Sequence, residues 1–304
     1  RAASTDGILP SLDLLASDVS EKGDDADARA RAQIIEETLD AFGIPVQVTD
    51  WHRGPVVTQF YVEPGYVERA GPNGVSHRFK IRVSKILALT NDLALALAAA
   101  PIRIEAPVPG QAVVGIEVPN DVKSLVGLRG VLEADAFQKS RSPLRIALGR
   151  DVSGQAVVAD LASMPHLLLA GSTGSGKSVC LNAIIASLLF YNTPEQLKLL
   201  MIDPKRVELT LYNGIPHLLG PVIVDIDKVI AALRWLVREM ESRYKQFAEI
   251  GARNIAAYNR KARSKGLEPL PLIVVIIDEL ADLMLAAADD VERMICRLAQ
   301  MARA

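Results

Sequence analysis

The sequence predicts an α/β protein in which a smaller α+β domain precedes a parallel sheet flanked by helices. After His166, apolar stretches of strand length alternate with helical patterns, and this order is typical of a parallel sheet with right-handed crossovers. A glycine-rich loop follows the first of these stretches. Before His166, segments of strand and helix character occur in mixed order, which indicates an α+β arrangement.

The length of 304 residues favours two domains. We predict a tail or linker at 1–25, a first α+β domain at 26–142 and an α/β domain at 143–304. The last domain ends soon after an apolar strand, and a complete sheet ending there would leave a long apolar edge without a partner. We therefore expect its C-terminal part to be missing from this sequence.

The first domain begins with a helix over 26–42, because Ile34, Ile35, Leu39 and Phe42 fall on one helical face before Gly43 and Pro45. Strand character and helical character follow in the order strands at 46–48, 56–62 and 78–83, a loop at 64–73, a helix at 92–100, strands at 102–104 and 113–118, and a helix at 124–137. Two further strand-like segments, at 144–148 and 156–161, lead into the second domain.

The second domain is expected to contain three strands and three helices in alternation. The expected order is a strand at 166–170, a helix at 178–190, a strand at 197–202, a helix at 228–249, a strand at 272–277 and a helix at 291–302. The third strand is a run of six apolar residues, as expected for a strand that is buried on both faces.

The glycine-rich loop fits the phosphate-binding pattern GxxxxGK[ST] at every position. Glycines allow the backbone N–H groups to point inward at phosphate oxygens, the lysine supplies charge to the β and γ phosphates, and the serine can ligate Mg²⁺ at the start of a helix. The alternative is a plain turn between a strand and a helix. The predicted nucleotide-binding residues are Gly171, Ser172, Thr173, Gly174, Ser175, Gly176, Lys177, Ser178 and Val179.

An acidic pair follows the strand at 272–277 and is expected to complete the metal site. Ligands of open α/β sheets lie at the carboxyl ends of the strands, so Asp278 can join Ser178 as a ligand of Mg²⁺. Glu279 can polarise a water for attack on the γ-phosphate, and with Lys177 it is a predicted catalytic residue. The alternative role for Asp278 is a helix cap, because an amphipathic stretch begins at Leu280.

Composition excludes several classes of protein. Half of the residues are hydrophobic, 23% are charged and the formal net charge is −2, which is an ordinary globular balance. No apolar run approaches the roughly 20 residues of a membrane span, and no signal peptide begins the sequence. Cys180 and Cys296 lack the spacing of a metal or redox site and are interpreted as buried thiols. As given, the chain is expected to be cytoplasmic.

Taken together, these motifs resemble the motor region of the FtsK/SpoIIIE family of bacterial DNA translocases, from about Leu9 to the last residue. Phosphate-binding loops occur in many families, whereas this combination is specific. The markers are LPSLDLL at 9–15, DLALALA at 92–98, IRIEAP at 102–107, GIEVPN at 115–120, MPHLL at 164–168, MIDPK at 201–205, VEL at 207–209, YNGIPHL at 212–218 and DELAD at 278–282.

The resemblance implies a RecA-like ATPase that uses ATP and Mg²⁺ and assembles as a homo-hexameric ring around double-stranded DNA. ATP hydrolysis around the ring would pump the duplex during chromosome segregation at cell division. In such rings an arginine from the neighbouring subunit completes the site. By its position in the family pattern, Arg303 is the candidate for this third catalytic role, and an ordinary charge at a helix end is the alternative.

The resemblance also implies regions that this sequence does not contain. A C-terminal module that reads orienting sequences and N-terminal membrane spans are expected in the full protein, which would be anchored in the inner membrane at the division septum. Contacts with site-specific recombination and division proteins would be made through these regions.

Asp203, Lys205 and Glu208 follow the strand at 197–202, where they can contribute to the site or to a subunit contact, while Asp203 can also simply cap a turn.

Two other functions remain open from the sequence. One is a ring ATPase that moves another polymer, as in conjugative coupling or protein secretion. The other is a nucleotide-dependent assembly module, against which Glu279 argues, because a pure switch has no need of a second carboxylate. Stimulation of ATP hydrolysis by duplex DNA distinguishes DNA translocation from both.

Overall fold

The computed structural model of the chain describes residues 9–17, 25–70 and 76–302. It forms two compact units. We call the unit made of Leu15–Ser140 and Ala147–Val158 the N-terminal unit, and the unit made of Arg1–Leu14, Arg141–Ile146 and Ala159–Ala304 the P-loop unit. In the part of the chain that is described, no helix has the length and apolar character needed to cross a membrane.

The N-terminal unit is built on an antiparallel four-stranded sheet covered by a helix. Helix α1 (Asp25–Ala41) ends before Gly43, whose φ of +71° lies in the left-handed region. Its buried residues Ile35 and Leu39 belong to the same core as Phe60 and Ile116 of the sheet. The sheet has the order β1-β2-β6-β5, and its strands are β1 (Val46–Arg53), β2 (Val57–Pro64), β5 (Arg103–Glu105) and β6 (Val114–Pro119).

The remaining elements of this region differ from the prediction at three places, one of which is the helix at Val83–Ala88, which was not predicted. The segment expected as a loop contains a strand that pairs with the following strand in the register Tyr66 with Lys80. The expected helix at 124–137 is two short helices, because Ala134 is extended between them. The elements are β3 (Tyr66–Ala70), β4 (Ser76–Lys80), α2 (Val83–Ala88), α3 (Thr90–Ala96), α4 (Leu128–Leu132), α5 (Asp135–Lys139), β7 (Arg145–Arg150) and β8 (Ala156–Asp160).

The P-loop unit contains a pair of parallel strands between helices. Strands β9 (Leu197–Ile202) and β10 (Leu272–Ile277) pair in parallel. The helices are α6 (Lys177–Tyr191), α7 (Ile226–Glu249), α8 (Ile255–Ser264) and α9 (Leu280–Met301). Helix α8 was not predicted, although its cap is visible in the sequence as Asn254, whose side chain accepts a hydrogen bond from the N–H of Ala257 at 2.9 Å.

Alternate residues of the two strands bury opposite faces, as the two-residue period of a strand requires. Leu199 and Met201 belong to a core cluster with Ile185 and Leu188 of α6. Leu200 and Ile202 belong to a second cluster, whose helical members include Val229, Leu233, Leu283 and Val291 of α7 and α9. The two strands therefore lie between α6 on one face and α7 and α9 on the other. Because the strands are parallel, their carboxyl ends lie at the same edge of the sheet.

Three sequence interpretations for this unit are corrected by the structure. The stretch 166–170 forms no strand: Leu168 is 76% exposed, and an apolar run becomes a strand only where a neighbouring backbone offers a ladder. Helix α9 begins at Leu280 instead of 291 and bends at Ala287, where φ is −155°. Cys296 is exposed, because it lies on the outer side of this helix, whereas Cys180 is partly buried and burial raises the pKa of its thiol.

Candidate functional site

The glycine-rich loop has a backbone that requires its glycines. Gly174 and Gly176 have φ angles of +78° and +94°, which residues with a side chain rarely adopt. At Gly171, a Cβ atom would lie 2.3 Å from the hydroxyl oxygen of Ser175. The loop closes on itself through a hydrogen bond of 3.1 Å from the N–H of Ser175 to the carbonyl of Ser172. Each glycine of the pattern therefore has its own structural reason.

The loop ends at the N-terminus of α6, which is suited to an anion. Gly176 is the N-cap and offers no side-chain acceptor, and the first turn holds no acidic residue. The first N–H groups of a helix have no partner within it, and the helix dipole gives this end a partial positive charge. Lys177 in the first turn adds a positive charge that the dipole disfavours, and Val179 is 73% exposed. An oxyanion at this end would accept hydrogen bonds from the free N–H groups and compensate the charge of Lys177.

The acidic pair follows β10 at the carboxyl end of the sheet. The N–H of Asp278 continues the ladder by donating to the carbonyl of Ile202 at 3.1 Å. Nζ of Lys177 lies 3.7 Å from Oε2 of Glu279, so the loop and the strand end meet at an ion pair. Oε1 of Glu279 also accepts a long hydrogen bond of 3.4 Å from the N–H of Ala281. The helix cap considered for Asp278 is therefore made by its neighbour.

The turn after β9 brings a third acidic side chain to the loop. Oγ of Ser178 donates a hydrogen bond of 2.8 Å to Oε1 of Glu208. Within the turn, Oδ2 of Asp203 accepts from the N–H groups of Glu208 at 3.1 Å and Leu209 at 2.9 Å. Nζ of Lys205 lies 3.1 Å from Oδ2 of Asp282, which is on the first turn of α9. The structure thus brings Lys177, Ser178 and Glu279 together with Glu208, which lies on the turn after β9.

The carboxyl groups at the two strand ends have opposite pKa shifts. Burial raises the pKa of Asp278, and the negative charges of Asp203, Glu208 and Glu279 raise it further. Burial acts in the same direction on Asp203, but backbone N–H donors, with those of Leu209 and Glu208 first, outweigh it and lower its pKa. The site therefore has an excess of negative charge around Asp278, which a cation would compensate.

The residues at this end of the sheet fit Mg²⁺. Their donors are hydroxyl and carboxylate oxygens, the ligands that this ion takes, and Asp278 is surrounded by the carboxylates of Asp203, Glu208 and Glu279. Among the described residues, no three His, Cys, Asp or Glu side chains converge closely enough to hold a metal by themselves. Mg²⁺ commonly binds through one or two protein oxygens together with phosphate oxygens and water, so a larger cluster of protein ligands is not required for this ion.

One predicted site residue, Arg303, lies outside the described residues. One contact was missed in the sequence, the hydrogen bond between Ser178 and Glu208. The available signal was the position of VEL at 207–209 a few residues beyond a strand end, which indicates proximity to the site but does not identify the partner of the glutamate.

Comparison with known proteins gives matches over almost the whole chain. The model of the FtsK/SpoIIIE family matches residues 127–304, and the model of the FtsK alpha domain matches residues 9–120. The DNA translocase FtsK of Bacillus cereus is 51% identical over 304 residues, which is 97% of this chain and 37% of that protein. The DNA translocase SpoIIIE of Bacillus subtilis is 50% identical over 305 residues, with the same two shares.

A solved structure resembles the chain more distantly. It is the pCW3 conjugation coupling protein TcpA, in a monomer form with ATPγS, at 25% identity and a TM-score of 0.51. The match covers 90% of this chain and 74% of that one. The chain spans a little over a third of the length of the curated relatives that it matches, 37% in both proteins above.

Proposed function

The chain belongs to the FtsK/SpoIIIE family, and from this membership we propose that it is part of an ATP-hydrolysing translocase that moves double-stranded DNA. The observation that carries the proposal is identity of about half the residues, over 97% of the chain, with proteins named DNA translocase. The ion pair between Lys177 and Glu279 supports it, because a carboxylate beside the phosphate-binding loop is the type of group that can orient the attacking water in ATP hydrolysis.

In this proposal the loop residues hold ATP and the strand ends supply the chemistry. The N–H groups of 171–179 bind the phosphates, while Ser178 and Asp278 hold Mg²⁺, which shields charge on the transferred phosphoryl group. Lys177 turns from Glu279 to the β and γ phosphates. Glu279 then lacks its cationic partner, and its carboxylate is available to orient and polarise the attacking water.

Several finer features of the proposal come from the family. We propose a RecA-like core with a parallel sheet flanked by helices, and the parallel pair of β9 and β10 supports it. We keep the division into a tail at 1–25, a first domain at 26–142 and an ATPase domain at 143–304. The active assembly is a homo-hexameric ring, in which Arg303 of one subunit reaches the γ-phosphate of the next.

The cellular role is proposed on the same basis. Translocation would serve chromosome segregation at cell division, at the septum. Regions outside this chain would attach the protein to the inner membrane and contact recombination and division proteins. The chain itself supplies the motor.

A second candidate function is DNA transfer in conjugation. One observation favours it: the solved structure of a conjugation coupling protein matches 90% of this chain. The identity to that protein is 25%, against 50% for the translocases, so chromosome translocation is the better-supported function.

The test is the rate of ATP hydrolysis by the whole protein with and without duplex DNA. Duplex should raise the rate, and the rise should be lost in Lys177→Ala. In Glu279→Gln hydrolysis should fall by about 10²–10⁴ while ATP binding is retained. Asp289→Asn, an exposed change on α9, is the control. Stimulation by polypeptide without stimulation by duplex would contradict DNA translocation, and binding without turnover would favour an assembly module.

A further inference from the structure

A hydrogen bond joins the turn between β9 and the 3₁₀ turn at Thr210–Tyr212 to Ser178, at the end of the nucleotide loop. There the hydroxyl of Ser178 donates its proton to the carboxylate of Glu208, with 2.8 Å between the oxygens in a partly buried position. The direction of this hydrogen bond matters, because a hydroxyl has one proton and two lone pairs. With its proton held by Glu208, the oxygen of Ser178 keeps its lone pairs for a cation.

The backbone of the turn fixes the position of Glu208. Asp203 is 0% exposed, and its Oδ2 accepts the N–H of Glu208 itself and that of Leu209. Leu209 is also fully buried and belongs to the core cluster around α6. Arg206 has a φ of +60°, a left-handed conformation that a residue other than glycine adopts at a cost and that persists only where its surroundings hold it. The turn that carries Glu208 is thus fixed by hydrogen bonds to Asp203 before it and by the burial of Leu209 after it.

A second contact ties the same turn to the other strand end. Lys205 pairs with Asp282 on α9, three residues after Glu279. The turn therefore connects the segment that carries the hydroxyl ligand with the segment that carries Asp278 and Glu279. Glu208 also contributes to the negative charge that raises the pKa of Asp278.

We propose that Glu208 is a positioning residue for Mg²⁺, which acts by holding the hydroxyl of Ser178 in the orientation that the metal needs. The inference rests on the proposed function, in which Ser178 is a ligand of the metal that accompanies ATP. Groups that hydrogen-bond a metal ligand fix its orientation and raise its basicity. Glu208 adds a negative charge near the cation without itself being a ligand.

The test measures how much Mg²⁺ strengthens the binding of ADP, since this ratio does not depend on hydrolysis or on DNA. A fluorescent ADP analogue is titrated into the whole protein with Mg²⁺ and again with EDTA. In Glu208→Ala the gain in affinity that Mg²⁺ gives should fall about tenfold, while affinity in EDTA stays as in the wild type. Glu208→Gln keeps an acceptor oxygen without the charge and should fall less.

Three controls separate positioning from a general structural effect. Glu268→Ala removes an exposed glutamate of the same unit and should change neither affinity. Thermal unfolding in EDTA reports whether each variant folds, and Glu208→Gln remains the test if the alanine variant does not. In a Ser178→Ala background, Glu208→Ala should have no further effect, because the two changes act through one hydroxyl.

Two results would overturn the inference, and they are distinct. If the wild type gains affinity with Mg²⁺ and Glu208→Ala keeps the full gain, Glu208 does not position the ligand, and the proposed function stands. If the wild type binds ADP in neither buffer, the proposed function fails, and the inference fails with it.

Discussion

Two aspartates occupy the same place in neighbouring strands of the P-loop unit and behave differently. Ile202 pairs with Ile277 at the ends of β9 and β10, so Asp203 and Asp278 are the next residues at the same sheet edge. The carboxylate of Asp203 accepts backbone N–H groups from its own turn, and its pKa is lowered. The pKa of Asp278 is raised by burial and by the neighbouring carboxylates.

The surroundings of the two carboxylates indicate which aspartate is available to bind a ligand. A carboxylate that already accepts N–H donors of its own chain is stabilised as an anion and holds the local structure. A carboxylate that is partly buried among other negative charges is costly for the fold, and a bound cation would relieve that cost. We therefore assign Asp203 to the stability of the turn and propose Asp278 for the metal.

The largest effect on stability is expected when Asp203 is replaced. Asp203→Ala leaves the N–H groups of Glu208 and Leu209 without their acceptor in a buried place, and unfolding should become easier by about 3 kcal/mol. Asp278→Ala removes a charge that the fold disfavours and should stay within about 1 kcal/mol of the wild type. Urea unfolding without nucleotide measures both, and equal losses in the two variants would contradict the contrast.

The pH dependence of stability should separate the two aspartates by sign. The ordinary pKa of either group is 3.8. Because the folded pKa of Asp203 lies below this value, its contribution is present above pH 3.8 and is lost as the pH falls through the folded pKa. The folded pKa of Asp278 lies above it, so the cost of its charge is absent at low pH and develops as the pH rises past 3.8.

Urea midpoints of Asp203→Asn and Asp278→Asn from pH 3 to 7 measure this difference. Relative to the wild type, the deficit of Asp203→Asn should shrink as the pH falls below about 3.8, and Asp278→Asn should gain stability as the pH rises above about that value. Parallel curves for the two variants would show that their surroundings act alike on both carboxyls.

From the sequence, Asp278 was the predicted metal ligand and Asp203 a candidate for the site, a subunit contact or a turn cap. The pattern alone did not decide these roles, because each aspartate follows a strand and precedes a turn or helix. The strands themselves were predictable: the apolar runs at 197–202 and 272–277 coincide with β9 and β10. The loop was also predictable, since each glycine is required by a positive φ angle or by a close contact. What the sequence does not indicate is the path of the turn, in which Arg206 is left-handed and Glu208 reaches Ser178.

Tertiary context explains the other differences. The apolar stretch at 166–170 has the composition of a strand, but a strand also needs a neighbour, and among the described residues none pairs with it. Helix α9 was predicted from residue 291, although the amphipathic stretch that begins at Leu280 is the first part of the same helix, which bends at Ala287. The sequence pattern was sufficient to predict the structure where the local residues determine the backbone conformation, as in the glycine-rich loop.

The smallest effect is expected at Lys205, whose ion pair with Asp282 is partly exposed. Lys205→Met keeps the length of the side chain and removes the charge, and its effect on stability should be small, because the pair is exposed to solvent. The same change removes the charge that lowers the pKa of Asp278, which should therefore rise further. Urea unfolding at low salt and in roughly 1 M salt, where charges are screened within about 3 Å, measures the contribution of the pair.

The salt dependence of Lys205→Met also tests what holds the turn after β9. If the backbone donors to Asp203 hold it, the difference between wild type and variant disappears at high salt, since only a screened pair has been lost. A difference that persists at high salt would mean that salt does not screen the ion pair between Lys205 and Asp282, and that this pair itself holds the turn. Asp203 would then be one of several groups that fix the turn, and its contrast with Asp278 would depend on the ion pair between Lys205 and Asp282.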